Sequence, residues 1–203
     1  MRAALLVVLL ASGCRLEPPP APGADGPSAA PEPAPAAPAP SVARPDSVRA
    51  QPDSDTAVGP SGLVVPVVGV APADLVDTYR DARGEGRVHD AIDIPAPRGT
   101  PVVAAVPGAV LALHTSEAGG LTAYQLGPDA RTVYYYAHLD AYAPGLAPGD
   151  VLAAGDPLGT VGDTGNAAPG DTHLHFAIWR VTDPTDFWDG PPVNPYPLLA
   201  GPR

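Results

Sequence analysis

The sequence predicts a mainly β domain over residues 61–203: an antiparallel sheet, sandwich or barrel-like, with little helix. Three observations carry that expectation. Short runs rich in Val, Leu, Thr and Tyr recur along this stretch, Gly/Pro/Asp turn signals separate them, and a single segment has helical character. The runs are Leu63–Val68, Pro101–Val106, Ala109–Thr115, Thr122–Leu126, Thr132–His138, Pro157–Val161 and His173–Val181. Pro107-Gly108, Gly119-Gly120, Gly127-Pro128-Asp129 and Pro148-Gly149-Asp150 break them as turns do. Ala73–Arg83 is the one helix candidate. In the last run Leu174, Phe176 and Ile178 alternate with His173 and His175, so one face is apolar and its register is well specified.

The residues before Ser61 cannot build such a domain. The chain has 203 residues with 30 Pro and 22 Gly, and the prolines crowd into residues 16–60, which hold no aromatic residue. Such a stretch buries too little surface to offset its ordering entropy and reads as a disordered Pro/Ala tether. Ahead of it, Met1-Arg2 and the apolar run Ala3–Ala11 have the form of an export signal, too short to span a bilayer. Ala11-Ser12-Gly13-Cys14 resembles the bacterial lipobox, which implies a signal peptide over residues 1–13 and a lipid on Cys14. The organisation expected is thus signal 1–13, lipidated tether 14–60 and domain 61–203. It places the protein outside the cytoplasm, lipid-anchored to a bacterial membrane and facing the periplasm or cell wall. Cys14 is the only cysteine, which excludes a disulfide within the chain. The net charge of -11, with no lysine, argues against nucleic acid and against charge-driven membrane binding. Membrane contact is expected from acyl chains alone, and the chain is expected to be a monomer.

The chemistry lies in three clusters. His89 and Asp93 are four apart, His138 ends an aromatic strand, and His173-Leu174-His175 opens the last one. On a strand His173 and His175 point the same way, about 6.6 Å apart at the backbone. Both could bind one metal, or one could bind while the other faces an open coordination position. His89 and Asp93 would lie about 13 Å apart on a straight strand, so the chain must bend between them if both are to reach one ion. Two imidazoles and a carboxylate form a known zinc set that leaves a fourth position for water. Asp90 is a rival to Asp93, but Asp93 sits between Ile92 and Ile94, where a buried carboxylate needs a partner. His114 reads as a strand-end residue. Tyr134 and Tyr136 share the face of His138 by simple alternation and could line a groove, although cross-strand aromatic packing is the more common role of such residues. Asn166 and Thr172 read as turn residues, with Thr172 able to orient a ligand. Trp179 and Trp188 read as core or groove wall.

His89-x-x-x-Asp93, Tyr136-x-His138-Leu139 and Thr172-His173-Leu174-His175-Phe176 resemble the lysostaphin/LytM-type zinc metallopeptidases, the M23 peptidase family. The likeness extends to Ile92–Val102, Leu158–Asn166 and Val193–Leu199, with Ala91 departing from the glycine common there. The resemblance implies an antiparallel β domain with its site in a loop-walled groove. It implies one zinc (Zn2+) held by His89, Asp93 and His175, and a catalytic pair, His138 and His173, flanking the open position. Which of the two is the general base stays open. No HExxH motif supplies a glutamate base. The implied substrate is the peptide cross-bridge of bacterial peptidoglycan. A second reading is a non-catalytic LytM-like activator of another cell-wall hydrolase, although members of that kind lose ligands that are all present here.

Overall fold

In the computed structural model, residues 55–188 and 190–202 are described. The expected signal segment, Cys14 and the expected tether up to residue 54 lie outside them. Nine strands run in chain order among the described residues: β1 Ile92–Pro95, β2 Pro101–Val103, β3 Gly108–Ser116, β4 Gly120–Leu126, β5 Thr132–Tyr142, β6 Val151–Leu152, β7 Pro157–Val161, β8 His173–Arg180 and β9 Pro192–Val193. All the pairings between them are antiparallel. The main path through the sheet is β1-β8-β5-β4-β3-β6. The only α-helix described is the short α1, Tyr196–Ala200, whose Leu199 is fully buried. No described helix is long and apolar enough to cross a membrane.

β5 is the strand that organises the sheet. Its first half pairs with β4 on one side and β8 on the other, while Leu139–Tyr142 pairs with β7. The switch occurs at His138, whose φ of 60° lies in the left-handed region and whose N–H donates to the Gly119 carbonyl at 2.8 Å. The register of β5 with β4 shifts there, by one extra residue in β5, while its register with β7 shifts separately at Asp140. A residue inserted this way breaks the alternation of faces. Hence Tyr135 and Ala137 face the same side as His138, while Tyr136 is fully buried on the other. The expectation that Tyr134 and Tyr136 share the face of His138 is corrected on that ground, and Tyr135 lines the cleft instead.

The opposite face is the core. Tyr136, Phe176, Ile92, Ile94, Leu139, Leu158, Leu174 and Ile178 are packed there with Val65, Val67, Leu75 and Tyr79 from the segment ahead of the sheet. Each large apolar side chain so buried contributes about 1.5–3 kcal/mol relative to exposure. The polar atoms among them are satisfied. The Tyr136 hydroxyl donates to Gln125 Oε1 at 2.7 Å and accepts the Ala105 N–H at 2.9 Å. Gln125 Nε2 in turn donates to the Val106 carbonyl at 2.8 Å.

Two expectations about local structure are corrected. Ala73–Arg83 is not a helix: only Pro72–Asp74 makes a 3-10 turn. Beyond it the backbone is committed to partners distant in sequence, with Asp90 N–H donating to Tyr79 O and His89 N–H to Asp81 O. Asp77 Oδ1 accepts the Tyr79 N–H, a side-chain bond that competes with helix. Leu63–Val68 is likewise not a continuous strand and joins the fold through single bridges of Val64 to Val58 and Val67 to Val102. Residues 58–60 therefore already belong to the folded part, and Gly59 lies so close to Leu199 O that a Cβ there would come within 2.4 Å.

Tyr136→Phe leaves both the Ala105 amide and the Gln125 carbonyl oxygen short of a buried partner. It is expected to cost about 2–3 kcal/mol of stability, read as a lowered midpoint of urea unfolding with unchanged slope.

Candidate metal centre and its cleft

Two strands and one turn build the site. β1 and β8 pair so that Asp93 lies directly opposite His175, while Ile92 and Ile94 face Phe176 and Leu174 in the core. On the far side of β8, His175 is opposite Ala137 of β5. His89 comes from outside the sheet. The chain turns at Asp90, whose φ is 54°, a left-handed conformation that aspartate tolerates better than most residues. This is the bend that the His89/Asp93 spacing requires. Asp90 itself stays exposed and outside the donor group.

Three donor atoms converge. His89 Nε2 is 3.0 Å from His175 Nδ1 and 3.1 Å from Asp93 Oδ1, and His175 Nδ1 is 3.2 Å from Asp93 Oδ1. Tetrahedral zinc with bonds of about 2.0–2.1 Å spaces its ligands about 3.3 Å apart, so the separations suit such an ion. The chemistry suits it as well. His89 Nδ1 is 3.0 Å from the Thr78 carbonyl, which can only accept, so Nδ1 carries the proton and Nε2 is a bare lone pair. That lone pair faces a carboxylate oxygen. Such an arrangement is repulsive without a cation between them and attractive with one. Burial pushes the His175 imidazole down, toward the neutral, ligand-competent form.

Thr78 is the functional residue that sequence reasoning did not single out. Its carbonyl orients His89, and its hydroxyl oxygen accepts the Asp93 N–H at 3.0 Å. One residue thereby sets the direction of two donors, the role that outer partners play at metal sites. A threonine eleven residues before a histidine leaves no spacing signal. Thr172, expected to orient a ligand, instead ties the start of β8 to the chain after β1, its hydroxyl donating to the Ala96 carbonyl at 2.7 Å. The second oxygen of Asp93 is held by Arg83, whose Nη2 is 2.5 Å away.

His138 and His173 stand beside the donor group. Their ring centroids are 4.9 Å apart, and the His138 ring is 5.6 Å from that of His175. His138 Nδ1 donates to the Thr164 carbonyl at 2.7 Å and His173 Nδ1 to the Asp171 carbonyl at 2.8 Å, so each ring has a bare Nε2. Burial pushes His138 down to about 4. All five expected residues, His89, Asp93, His138, His173 and His175, line one cleft of about 500 Å³. Its walls are Arg83, Gly84, Arg87 and Val88, the Ala118-Gly119 turn and the Asn166–Asp171 loop. The last two touch backbone to backbone: a Cβ on Gly165 would lie 2.3 Å from Gly120 N. Arg98 braces that loop from behind by pairing with both Asp140 and Asp163.

The remaining candidates are placed as follows. Asn166 lines the cleft and its N–H donates to the Ala118 carbonyl. Trp179 and Tyr135 line a smaller adjoining pocket with Asp90 and Pro192. Trp188 packs edge-on against Tyr124 and His114 in a second apolar cluster, away from the donor group.

The family model for peptidase family M23 matches residues 87–195. An L-Ala–D-Glu endopeptidase of Bacillus subtilis is 33% identical over 131 residues, 60% of this chain and 38% of that protein. The matched stretch thus spans well under half the length of this curated relative. Among solved structures, the catalytic domain of the antimicrobial peptidase lysostaphin from Staphylococcus simulans superimposes with a TM-score of 0.53 at 26% identity, over 63% of this chain and 94% of that one. The catalytic domain of the prophage-encoded M23 protein EnpA from Enterococcus faecalis, as its A109H mutant, gives 0.50 at 28% identity, over 60% and 87%.

Thr78→Val keeps the carbonyl that orients His89 but removes the acceptor for the Asp93 N–H. It is expected to weaken zinc retention by about 10-fold, measured by competition with a chromophoric chelator, while the fold survives by circular dichroism.

Proposed function

Because the chain belongs to peptidase family M23, we propose that it is a zinc-dependent endopeptidase that hydrolyses peptide cross-bridges of bacterial peptidoglycan, exported and anchored to a membrane by lipid on Cys14. The observation that carries this reading is the donor triad His89 Nε2, Asp93 Oδ1 and His175 Nδ1, all within 4.8 Å of one another, with two further histidines against the same cleft. The name of the Bacillus subtilis relative supports the substrate class, since a peptide bond to a D-amino acid is a wall-type bond.

His89, Asp93 and His175 would hold the ion. Zinc bound there supplies the Lewis acidity that brings a water's pKa to about 7 and polarises a scissile carbonyl. The protein's own residues do the rest. Thr78 and Arg83 fix the donor directions. His138 and His173 each turn a bare Nε2 away from a backbone acceptor, so either can take a proton from the attacking water and return it to the departing amine. When charged, the same N–H can stabilise negative charge on the carbonyl oxygen.

Soluble muropeptides incubated with the zinc-loaded chain should yield new peptide termini, identified by mass spectrometry. Zinc bound without any cleavage would favour the activator reading. His138→Ala should retain one zinc per chain while turnover falls by about 10²–10⁴, whereas His89→Ala should lose both metal and turnover; equal zinc loss in the two would sink this division of roles. Cys14→Ser in cells should release the protein from the membrane fraction, and continued membrane retention would count against the anchor.

A further inference from the structure

Charge is distributed unevenly between this domain and its cleft. Residues 61–203 carry seven arginines against sixteen acids, a surface that repels anionic polymers. Yet two of those arginines, Arg83 and Arg87, line the cleft, where Asp93 and Asp171 are the carboxylates among the described lining residues. Asp93 is already occupied, one oxygen in the donor group and the other on Arg83. The Asp171 carbonyl orients His173 from the opposite wall. Arg87 has no ion pair among the described residues. Its guanidinium donates only Nε–H to the Gly84 carbonyl, at 3.3 Å, and the remaining N–H groups are left for a ligand. The two arginines flank a 3-10 turn, Gly84–Gly86, and Arg87 leads through Val88 into the first donor, His89.

We infer that Arg87, with Arg83 beside it, selects a peptide that bears a free carboxylate close to the scissile bond. This rests on the peptidase reading of the same cleft. A planar guanidinium with parallel N–H groups is suited to a carboxylate in two-point contact. An ordinary neutral peptide would leave it unpaired in a cleft that substrate has dehydrated. The acidic exterior then keeps anionic wall polymer at a distance, and binding is decided at short range in the cleft. The substrate class is thus a stem peptide with an ionised carboxyl. Its amidated counterpart is discriminated against, as are strands whose cross-bridge carries no charge.

The test uses the zinc-loaded full chain and one preparation of soluble muropeptides in two forms, native and with carboxyls converted to amides by carbodiimide coupling to ammonia. Equilibrium binding is measured by calorimetry and cleavage by release of new termini. The native form is expected to bind and to be cleaved about 10- to 100-fold better, the range of a charge-assisted hydrogen bond. Arg87→Gln should collapse that ratio, Arg87→Glu should invert it, and Arg87→Lys should keep part of it, because charge survives without the fork. The preference should also shrink as salt is raised. Equal handling of the two forms by the wild type, or a ratio untouched in Arg87→Gln, overturns the inference even if cleavage is robust. Selective binding without cleavage upholds it while removing the peptidase reading. Zinc content and thermal unfolding of each variant establish that Arg87 substitutions leave the fold and donor group in place.

Discussion

The pairing of Asp93 with His175 across two adjacent strands is the constraint on which the site depends. Because β1 and β8 bury Ile92, Ile94, Leu174 and Phe176 on the core side, the alternation of side chains leaves Asp93, His173 and His175 no choice but the other face. A one-residue slip would bury the carboxylate and both imidazoles in the apolar core, at a cost of several kcal/mol for each unpaired polar group. Hydrophobic packing on one side therefore enforces polar geometry on the other. The donor group does not have to be assembled separately. Only His89 arrives by a different route, over the Asp90 turn.

Much of this was legible in the sequence. His173-Leu174-His175 carries its own period, and the apolar residues beside it fix which way the histidines point. The four-residue step from His89 to Asp93 demanded a bend, and Asp90 supplies one. What escaped reading was decided by contacts between distant segments. Ala73–Arg83 has helical composition, but its carbonyls accept from His89 and Asp90, and a helix would have spent those carbonyls internally. The same segment delivers Thr78 to two donors, a function that no local pattern announces. The faces of Tyr134, Tyr135 and Tyr136 were misread because strict alternation fails at His138, where a bulge inserts one residue. The short α1 was hidden by two prolines, Pro195 and Pro197, which suit a first helical turn and little else.

Loops that touch through glycine wall the cleft. Gly120 at φ 64° and Gly165 at φ 80° bring the β3–β4 turn against the β7–β8 loop with no side chain between them. Arg98 holds the second loop from outside by two carboxylates. The floor is thus a sheet with a fixed register and the walls are braced segments, consistent with a cleft whose shape is largely preformed.

The kink at His138 joins two sets of strand partners through a single residue. Upstream, β5 is held by β4 and β8; downstream, by β7 and through it β2. The left-handed conformation at His138 is fixed from outside β5, by the Gly119 carbonyl on its N–H and the Thr164 carbonyl on its ring. Thr164 also donates its hydroxyl to the Leu139 carbonyl, so one loop residue pins both the imidazole and the backbone beside it. Pulling the β7–β8 loop away would therefore release the ring and the kink together.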